Sequence, residues 1–116
     1  MPNLIQYESE LIRINPAKNY IEVSTSRGAS WYSRYTGSSC GEFKDLLEYG
    51  DEIIAITSKG IYVSKSKGAS WYSRCTSSVC KTFISLADAG RELLANTSDG
   101  HLYVSTSKGA SWYRRK

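Results

Sequence analysis

Three arginines recur at a fixed interval along the chain and are the first candidates for chemistry: Arg34, Arg74 and Arg115. A guanidinium presents a planar fork of N–H donors, which binds a carboxylate through two parallel hydrogen bonds. Three such forks brought together would bind an acidic ligand. Because each arginine lies at the same place in a repeated segment, the pattern instead favours surface positions or ion pairs between neighbouring repeats.

Other reactive side chains are few. His101 is the single histidine, which excludes a multi-histidine metal centre within one chain, and Cys40, Cys75 and Cys80 match no metal-ligand spacing. The sequence contains no phosphate-binding loop and no nucleophile elbow. We therefore predict no catalytic residue, no metal and no cofactor, and an enzyme is the less favoured class.

The cysteines bear on the compartment. An odd number of cysteines, in a sequence that starts without a basic segment and an apolar core, favours free thiols in a reducing compartment. The alternative is a small loop closed by Cys75 and Cys80 in an exported protein. We expect the chain in the cytoplasm, unless it is cut from a longer, exported precursor.

The composition limits the remaining classes. The 116 residues carry 15 Lys and Arg against 11 Asp and Glu, a net charge of +4. This mild charge, without a run of five or six like charges, does not favour a nucleic-acid partner. Because no apolar run approaches the roughly 20 residues of a membrane helix, we expect no membrane contact. Nine Tyr and three Trp, with frequent Ser and Gly, favour strands and turns.

The elements that carry these residues follow from an internal repeat. The octapeptide Ser24-Thr-Ser-Arg-Gly-Ala-Ser-Trp31 returns with small changes from Ser64 and from Ser105, at offsets of 40 and 41 residues. A valine precedes each copy and a tyrosine follows it. The chain is therefore three copies of one unit. We place the units at about 1–42, 43–82 and 83–116, within a single repeat domain of residues 1–116.

Turn signals divide each unit into four short strands. In the second unit we predict strands at Phe43–Leu47, Glu52–Thr57, Ile61–Ser64 and Trp71–Cys75. Four strands in a unit of about 40 to 45 residues are typical of a β-propeller blade. The predicted fold is all-β, with three four-stranded antiparallel β-propeller blades.

The octapeptide resembles the Asp-box, or BNR repeat, of sialidases and other β-propellers, whose pattern is Ser-x-Asp-x-Gly-x-Thr/Ser-Trp. The first serine, the glycine, the last serine and the tryptophan match in every copy, and a serine stands at the Asp position. The resemblance implies a fold-stabilising turn on the face away from the binding side. The residues with this structural role are Ser24, Ser26, Gly28, Trp31, Ser64, Ser66, Gly68, Trp71, Ser105, Ser107, Gly109 and Trp112.

The aromatic residues and the arginines are interpreted in the same frame. One tryptophan per unit at the same position favours packing between adjacent blades over a platform for sugar rings. The tyrosines that follow, Tyr32, Tyr72 and Tyr113, are expected to be covered by an adjacent blade as well. Sialidases bind the substrate carboxylate with an arginine triad from inner-strand loops. The three repeated arginines fall on outermost strands and do not match that triad.

The connections opposite the octapeptides carry the candidate ligand-binding residues, because hydroxyl and amide groups suit sugars or proteins. The same residue types are also typical of any solvated loop, and this interpretation is the more favoured one. These residues are Tyr35, Ser38, Lys59, Ser78, Asp99 and His101. We expect a non-catalytic recognition module that binds a glycan or a protein partner through these loops. The alternatives are a sialidase-like glycosidase assembled from two chains and a purely structural interaction subunit.

Three blades cannot close a ring by themselves, because propellers close with roughly four to eight blades. Two open blade faces rich in apolar side chains are unusual for a monomer. We therefore expect a homodimer in which two chains form a six-bladed propeller. In that arrangement Trp112–Lys116 of one chain lies beside Met1–Ile5 of the other. The competing explanation is a fragment of a longer propeller.

Overall fold

The computed structural model describes residues 4–15 and 17–115, which form three four-stranded antiparallel sheets. We call them blades 1, 2 and 3 in chain order. Blade 1 contains β1 (Leu4–Tyr7), β2 (Glu10–Asn15), β3 (Tyr20–Ser24) and β4 (Tyr32–Tyr35). Blade 2 contains β5 (Phe43–Tyr49), β6 (Glu52–Thr57), β7 (Gly60–Ser64) and β8 (Tyr72–Cys75). Blade 3 contains β9 (Phe83–Asp88), β10 (Leu93–Thr97), β11 (Leu102–Ser105) and β12 (Tyr113–Arg114).

In every blade, strands that are consecutive in the chain are also neighbours in the sheet. The predicted all-β fold with three four-stranded antiparallel sheets is therefore confirmed. A single turn of 3-10 helix, Cys80–Thr82, precedes β9 in the described part of the chain. Residues 4–15 and 17–115 include no helix that is long and apolar enough to cross a membrane. The expected contact between Trp112–Lys116 and Met1–Ile5 involves residues 1–3 and 116, which lie outside the described residues.

The blades stack face to face, with their first strands β1, β5 and β9 side by side. Ile12 and Ile21 of blade 1 share an apolar core with Ile53 of blade 2. Ile61 of blade 2 shares a second core with Leu93 of blade 3. Because successive side chains point to opposite faces of a strand, blade 2 contributes a different set of residues to each core.

Each octapeptide forms a tight turn between the third and fourth strands of its blade. Lys67 and Gly68 are both left-handed, with φ of 61° and 94°, and the other two copies repeat this pair. A Cβ atom on Gly68 would lie 3.2 Å from Cγ2 of Ile21 in the preceding blade. Glycine is required here because the backbone is left-handed and approaches its neighbour closely.

The tryptophans of blades 2 and 3 lie at the junctions between blades, as expected. Trp71 packs against the core shared by blades 1 and 2, and Trp112 packs against the core shared by blades 2 and 3. Within their own blades, the ring of Trp71 is centred 5.3 Å from that of Phe43, and the ring of Trp112 is centred 4.8 Å from that of Phe83. Trp31 lies on the face of blade 1 that neither of the other two blades covers, which we call its free face. There the guanidinium of Arg13 lies over the Trp31 ring, 4.0 Å from its centroid.

The expectation that the following tyrosines are covered is wrong. Tyr32, Tyr72 and Tyr113 are each about half exposed. Their strands lie at the outer edge of each blade, so the neighbouring blade does not cover the rings. The Tyr32 hydroxyl instead accepts a hydrogen bond from Arg34 over 3.1 Å.

The expectation of free thiols is wrong for two of the cysteines. Cys75 and Cys80 form a disulfide, with 6.4 Å between their Cα atoms, so the small loop considered above is closed. The 3-10 turn brings Cys80 back over the end of β8. Cys40 holds the equivalent buried position in blade 1 and is a free thiol. In blade 1, Tyr35 stands at the position that Cys75 occupies in blade 2. Its hydroxyl lies 3.5 Å from the Cys40 sulfur.

Candidate functional site

The octapeptide turns satisfy their own polar groups. In blade 2, the hydroxyl of Ser64 accepts hydrogen bonds from the N–H of Gly68 over 2.9 Å and of Ser66 over 3.2 Å. The Ser66 hydroxyl accepts from the N–H of Ser70 over 2.9 Å. The indole of Trp71 donates to the Gly68 carbonyl. The hydroxyl of Ser66, the third residue of its octapeptide, thus holds the backbone of this turn.

Two of the repeated arginines join one blade to the next. The guanidinium of Arg74 forms a bidentate ion pair with Glu52 of its own blade, with both distances at 2.7 Å. Its hydrogen bonds hold the pKa of Glu52 below the ordinary value, against the effect of burial. The same Nη1 atom donates to the carbonyl of Lys108 in the next octapeptide. The ion pair therefore lies within a blade, and the contact between blades uses a carbonyl.

Two further inter-blade contacts were not predicted from the sequence. Asn19 of blade 1 donates to the Gly41 carbonyl and accepts from the Phe43 N–H, both over 2.8 Å. Asp45 is fully buried in β5 and accepts from the N–H of Leu86 in blade 3. Burial raises the pKa of Asp45 to about 6. Each of these two residue types is present at its position in one unit and is not repeated in the other units. The periodicity of the sequence therefore gives no signal for them.

The candidate loop residues lie at the opposite end of the blades from the octapeptides, because antiparallel strands reverse direction at each turn. Near the junction of blades 1 and 2, the Tyr35 hydroxyl lies 2.9 Å from that of Ser39. The Ser39 carbonyl accepts from the Lys59 ammonium over 3.5 Å and from the Tyr62 hydroxyl over 3.4 Å. Ser38 is exposed in the same loop. We call this group the first loop patch; sequence reasoning missed Ser39 and Tyr62.

A second group lies in the turn between β10 and β11. Asp99 accepts a hydrogen bond from the Thr97 hydroxyl, and this bond, with the nearby His101, holds the pKa of Asp99 below its ordinary value. The imidazole of His101 lies 3.5 Å from that carboxylate. Ser78 is exposed in the loop that follows β8. The predicted residues therefore fall into two groups on successive blades.

Four glutamates of the blades form ion pairs with arginines. Glu10, Glu52 and Glu92 pair with the repeated arginines Arg34, Arg74 and Arg115, and Glu22 pairs with Arg13 over 2.9 Å. A glycosidase needs two carboxyl groups directed at one bond. Within residues 4–15 and 17–115, no cluster of three or more His, Cys, Asp or Glu side chains could hold a metal.

No family model matches the chain, and no curated protein matches it. Among solved structures it is similar to YCF48 from Cyanidioschyzon merolae, with a TM-score of 0.72 and 16% identity over 97% of this chain and 42% of that one. It is similar to YCF48 bound to D1 peptide, with a TM-score of 0.73 and 12% identity over 93% and 38% of the two chains. An ancestral GH74 enzyme gives a TM-score of 0.72 and 16% identity over 96% and 17%.

The chain thus spans less than half the length of each of these structures. At identities of 12% to 16% the likeness shows the fold and no more. These structures are β-propellers, and each aligns with nearly the whole of this chain. The three stacked sheets of this protein are blades of a β-propeller fold.

Proposed function

We propose that this chain is a non-catalytic recognition module of the β-propeller class, which binds a protein partner through the loops opposite the octapeptides. The observation that carries the proposal is the first loop patch. Tyr35 and Ser39 from blade 1 meet Lys59 and Tyr62 from blade 2, so two blades supply hydroxyl groups and an ammonium to one exposed surface. Such groups bind backbone carbonyls and acidic side chains.

The octapeptides have a supporting role in this proposal. They are the Asp-box turns of the propeller, with serine in place of aspartate, and they fix the blades that carry the loops. Their serine hydroxyls are already engaged with the turn backbone, as in Ser64 and Ser66. The binding loops carry exposed polar groups: Ser38, Lys59, Ser78 and Asp99 are on the surface, and His101 is half-buried.

A protein ligand is preferred to a glycan because of one comparison. A solved structure similar to this chain is described as YCF48 bound to D1 peptide, so a propeller of this shape holds a peptide. The GH74 neighbour provides the argument for a glycosidase. The pairing of Glu10, Glu52 and Glu92 with arginines weighs against that alternative, because these carboxylates stabilise the blades.

A displayed library of random peptides tests the proposal. Peptides are selected on the folded chain, and their Kd is measured by calorimetry. We expect Lys59→Ala to weaken binding roughly fivefold, the loss of about 1 kcal/mol that one exposed charged contact supplies. Lys108→Ala, an exposed lysine on the octapeptide side, is the matched control and leaves Kd unchanged.

Three outcomes contradict the proposal. A selected peptide that depends on Lys108 and not on Lys59 places the binding surface at the wrong end of the blades. Binding to a glycan array, with no peptide selected, supports the carbohydrate alternative. Turnover of a fluorogenic glycoside, abolished by substitution of exposed acids such as Asp99, supports the enzyme.

A further inference from the structure

The two junctions inside the chain share one contact between an arginine and an octapeptide carbonyl. Arg34 donates to the carbonyl of Lys67 across the junction of blades 1 and 2, over 3.1 Å. Arg74 donates to the carbonyl of Lys108 across the junction of blades 2 and 3, also over 3.1 Å. In both cases an arginine of the outermost strand reaches the fourth residue of the next octapeptide. A third junction of the same kind therefore needs an arginine that does not yet contact another blade, and an octapeptide turn whose carbonyl does not yet accept from such an arginine.

Blade 3 presents such an arginine. Arg115 follows β12 and forks onto Glu92 at 3.3 and 3.1 Å, as its two counterparts do onto their glutamates. Its side chain is 42% exposed, whereas those of Arg34 and Arg74 are 17% and 16% exposed. The difference corresponds to the cover that a following blade gives to the other two arginines.

Blade 1 has an open groove on its free face, next to the first octapeptide. A groove of about 480 Å³ is lined by Gln6, Ser9, Glu10, Leu11 and Arg27. Arg27 is the fourth residue of the first octapeptide, so its carbonyl is the counterpart of the two that accept from arginine. The groove occupies the space that a preceding blade fills at the inner junctions.

The apolar side chain of Leu4 also indicates that the free face of blade 1 can be covered by another blade. Leu4 in β1 is 48% exposed. Its counterparts on the first strands of the next blades, Leu46 and Leu86, are 0% and 5% exposed, because each packs against the blade before it. The free face of blade 1 thus repeats the surface that blades 2 and 3 bury.

The free faces of blades 1 and 3 carry polar residues at two positions that are apolar in the junctions inside the chain. In the first junction, Ile14 of one blade shares the core with Ala55 of the next. At the corresponding places the free faces carry Asn96 on blade 3 and Arg13 on blade 1, both polar. Arg13 is held by Glu22 over 2.9 Å. The two faces thus carry a polar residue at each of these places, whereas both junctions inside the chain carry an isoleucine and an alanine there.

We propose that blade 3 docks against the free face of blade 1 of a second copy, with Arg115 donating to the carbonyl of Arg27 inside the groove. The contact is head-to-tail, so each copy uses a different face. Two copies joined twice in this way form a closed two-fold ring of six blades. Asn96 then lies opposite Arg13 of the other copy, and Leu4 becomes buried.

Two single variants and their mixture test this contact. Leu4→Glu places a carboxylate on the face of blade 1, and Asn96→Arg places a second cation opposite Arg13. Both positions are exposed, so the fold should be retained, which circular dichroism verifies. Ser33→Glu and Ser73→Arg, exposed on outermost strands, are the controls.

Light scattering on a micromolar dilution series gives the mass. We expect about 26 kDa for the unchanged chain, twice the 12.9 kDa of one copy, and the same for both controls. Each variant alone should raise the dissociation constant about tenfold or more, because a charge is buried without a partner. Mixing the two variants should restore dimers, since one unaltered junction then forms between them.

Three results would overturn the proposal. The first is a folded, unchanged chain that stays at 12.9 kDa throughout the series. The second is a dimer that Asn96→Arg leaves intact, because it would use the face of blade 1 from both copies. The third is a mixture of the two variants that remains monomeric.

Discussion

The carboxylate of Asp45 accepts a hydrogen bond of 2.8 Å from the backbone N–H of Leu86, so a buried side chain joins the inner strands of blades 2 and 3. The pKa of this carboxyl is raised from 3.8 to about 6, chiefly by burial. Between these pH values the folded chain keeps a proton that the unfolded chain has released. The stability that Asp45 contributes is therefore complete below pH 3.8 and is lost as the pH rises through about 6.

Asp45→Asn should remove this dependence, because the amide does not ionise. The difference in free energy of unfolding between variant and unchanged chain should move in favour of the variant by about 2 kcal/mol from pH 4 to pH 7. Urea denaturation across this range measures the difference. Asp51→Asn, at an exposed turn position, is the control for the loss of one carboxyl group. A flat difference for Asp45→Asn would show that burial does not shift this group.

The second prediction concerns the position at which the octapeptide differs from the Asp-box pattern. Ser66→Asp should stabilise the chain by about 1 kcal/mol, because an ionised acceptor forms a stronger hydrogen bond with the N–H of Ser70. Thermal and urea denaturation measure the gain. Ser66→Asn keeps an acceptor without the charge and should be close to neutral. An equal gain from both variants would argue against a charge-assisted bond.

The third prediction concerns the Arg74–Glu52 ion pair. Arg74→Ala removes the bidentate partner of the nearly buried Glu52 carboxylate and leaves the exposed Lys65 ammonium at 3.7 Å, so it should cost about 3 kcal/mol of stability. Adding Glu52→Gln to this variant should recover part of the loss, because the remaining group is neutral. Urea denaturation of the two single variants and the double variant gives the coupling energy. Strictly additive losses would contradict the assigned contact.

The fourth prediction concerns the cysteines. Because Cys40 is buried and Cys75 is bonded to Cys80, the folded chain should react with no maleimide. The denatured chain should take one label without reductant and three after reduction. Intact mass spectrometry counts the labels. Three labels without reductant would show that the disulfide is open, which is the state expected of the chain in a reducing cytoplasm.

Periodicity explains what could be predicted from the sequence. The strands of the second unit were placed to within two residues, because each octapeptide, valine and tyrosine recurs at a fixed position. Periodicity has no means of finding residues that occur once. Asn19 and Asp45 make inter-blade hydrogen bonds that the other blades do not repeat with the same residue types. The first loop patch was found in part, since Tyr35 and Lys59 lie in the recurring loops.

The burial of β6 at all six positions has a consequence for how the chain opens. β6 is paired with β5 and β7 and has a neighbouring blade on each face, so we expect the amide hydrogens of Ile53 to Ile56 to exchange with solvent only in openings that separate the blades and also break this pairing. The amides of β1 and β12, at the two ends of the stack, exchange through local fraying. In a chain of three similar units, the lifetimes of the amide hydrogens should therefore differ between blades. Exchange in blade 2 should follow the opening of the whole stack, and exchange in β1 and β12 should follow local opening.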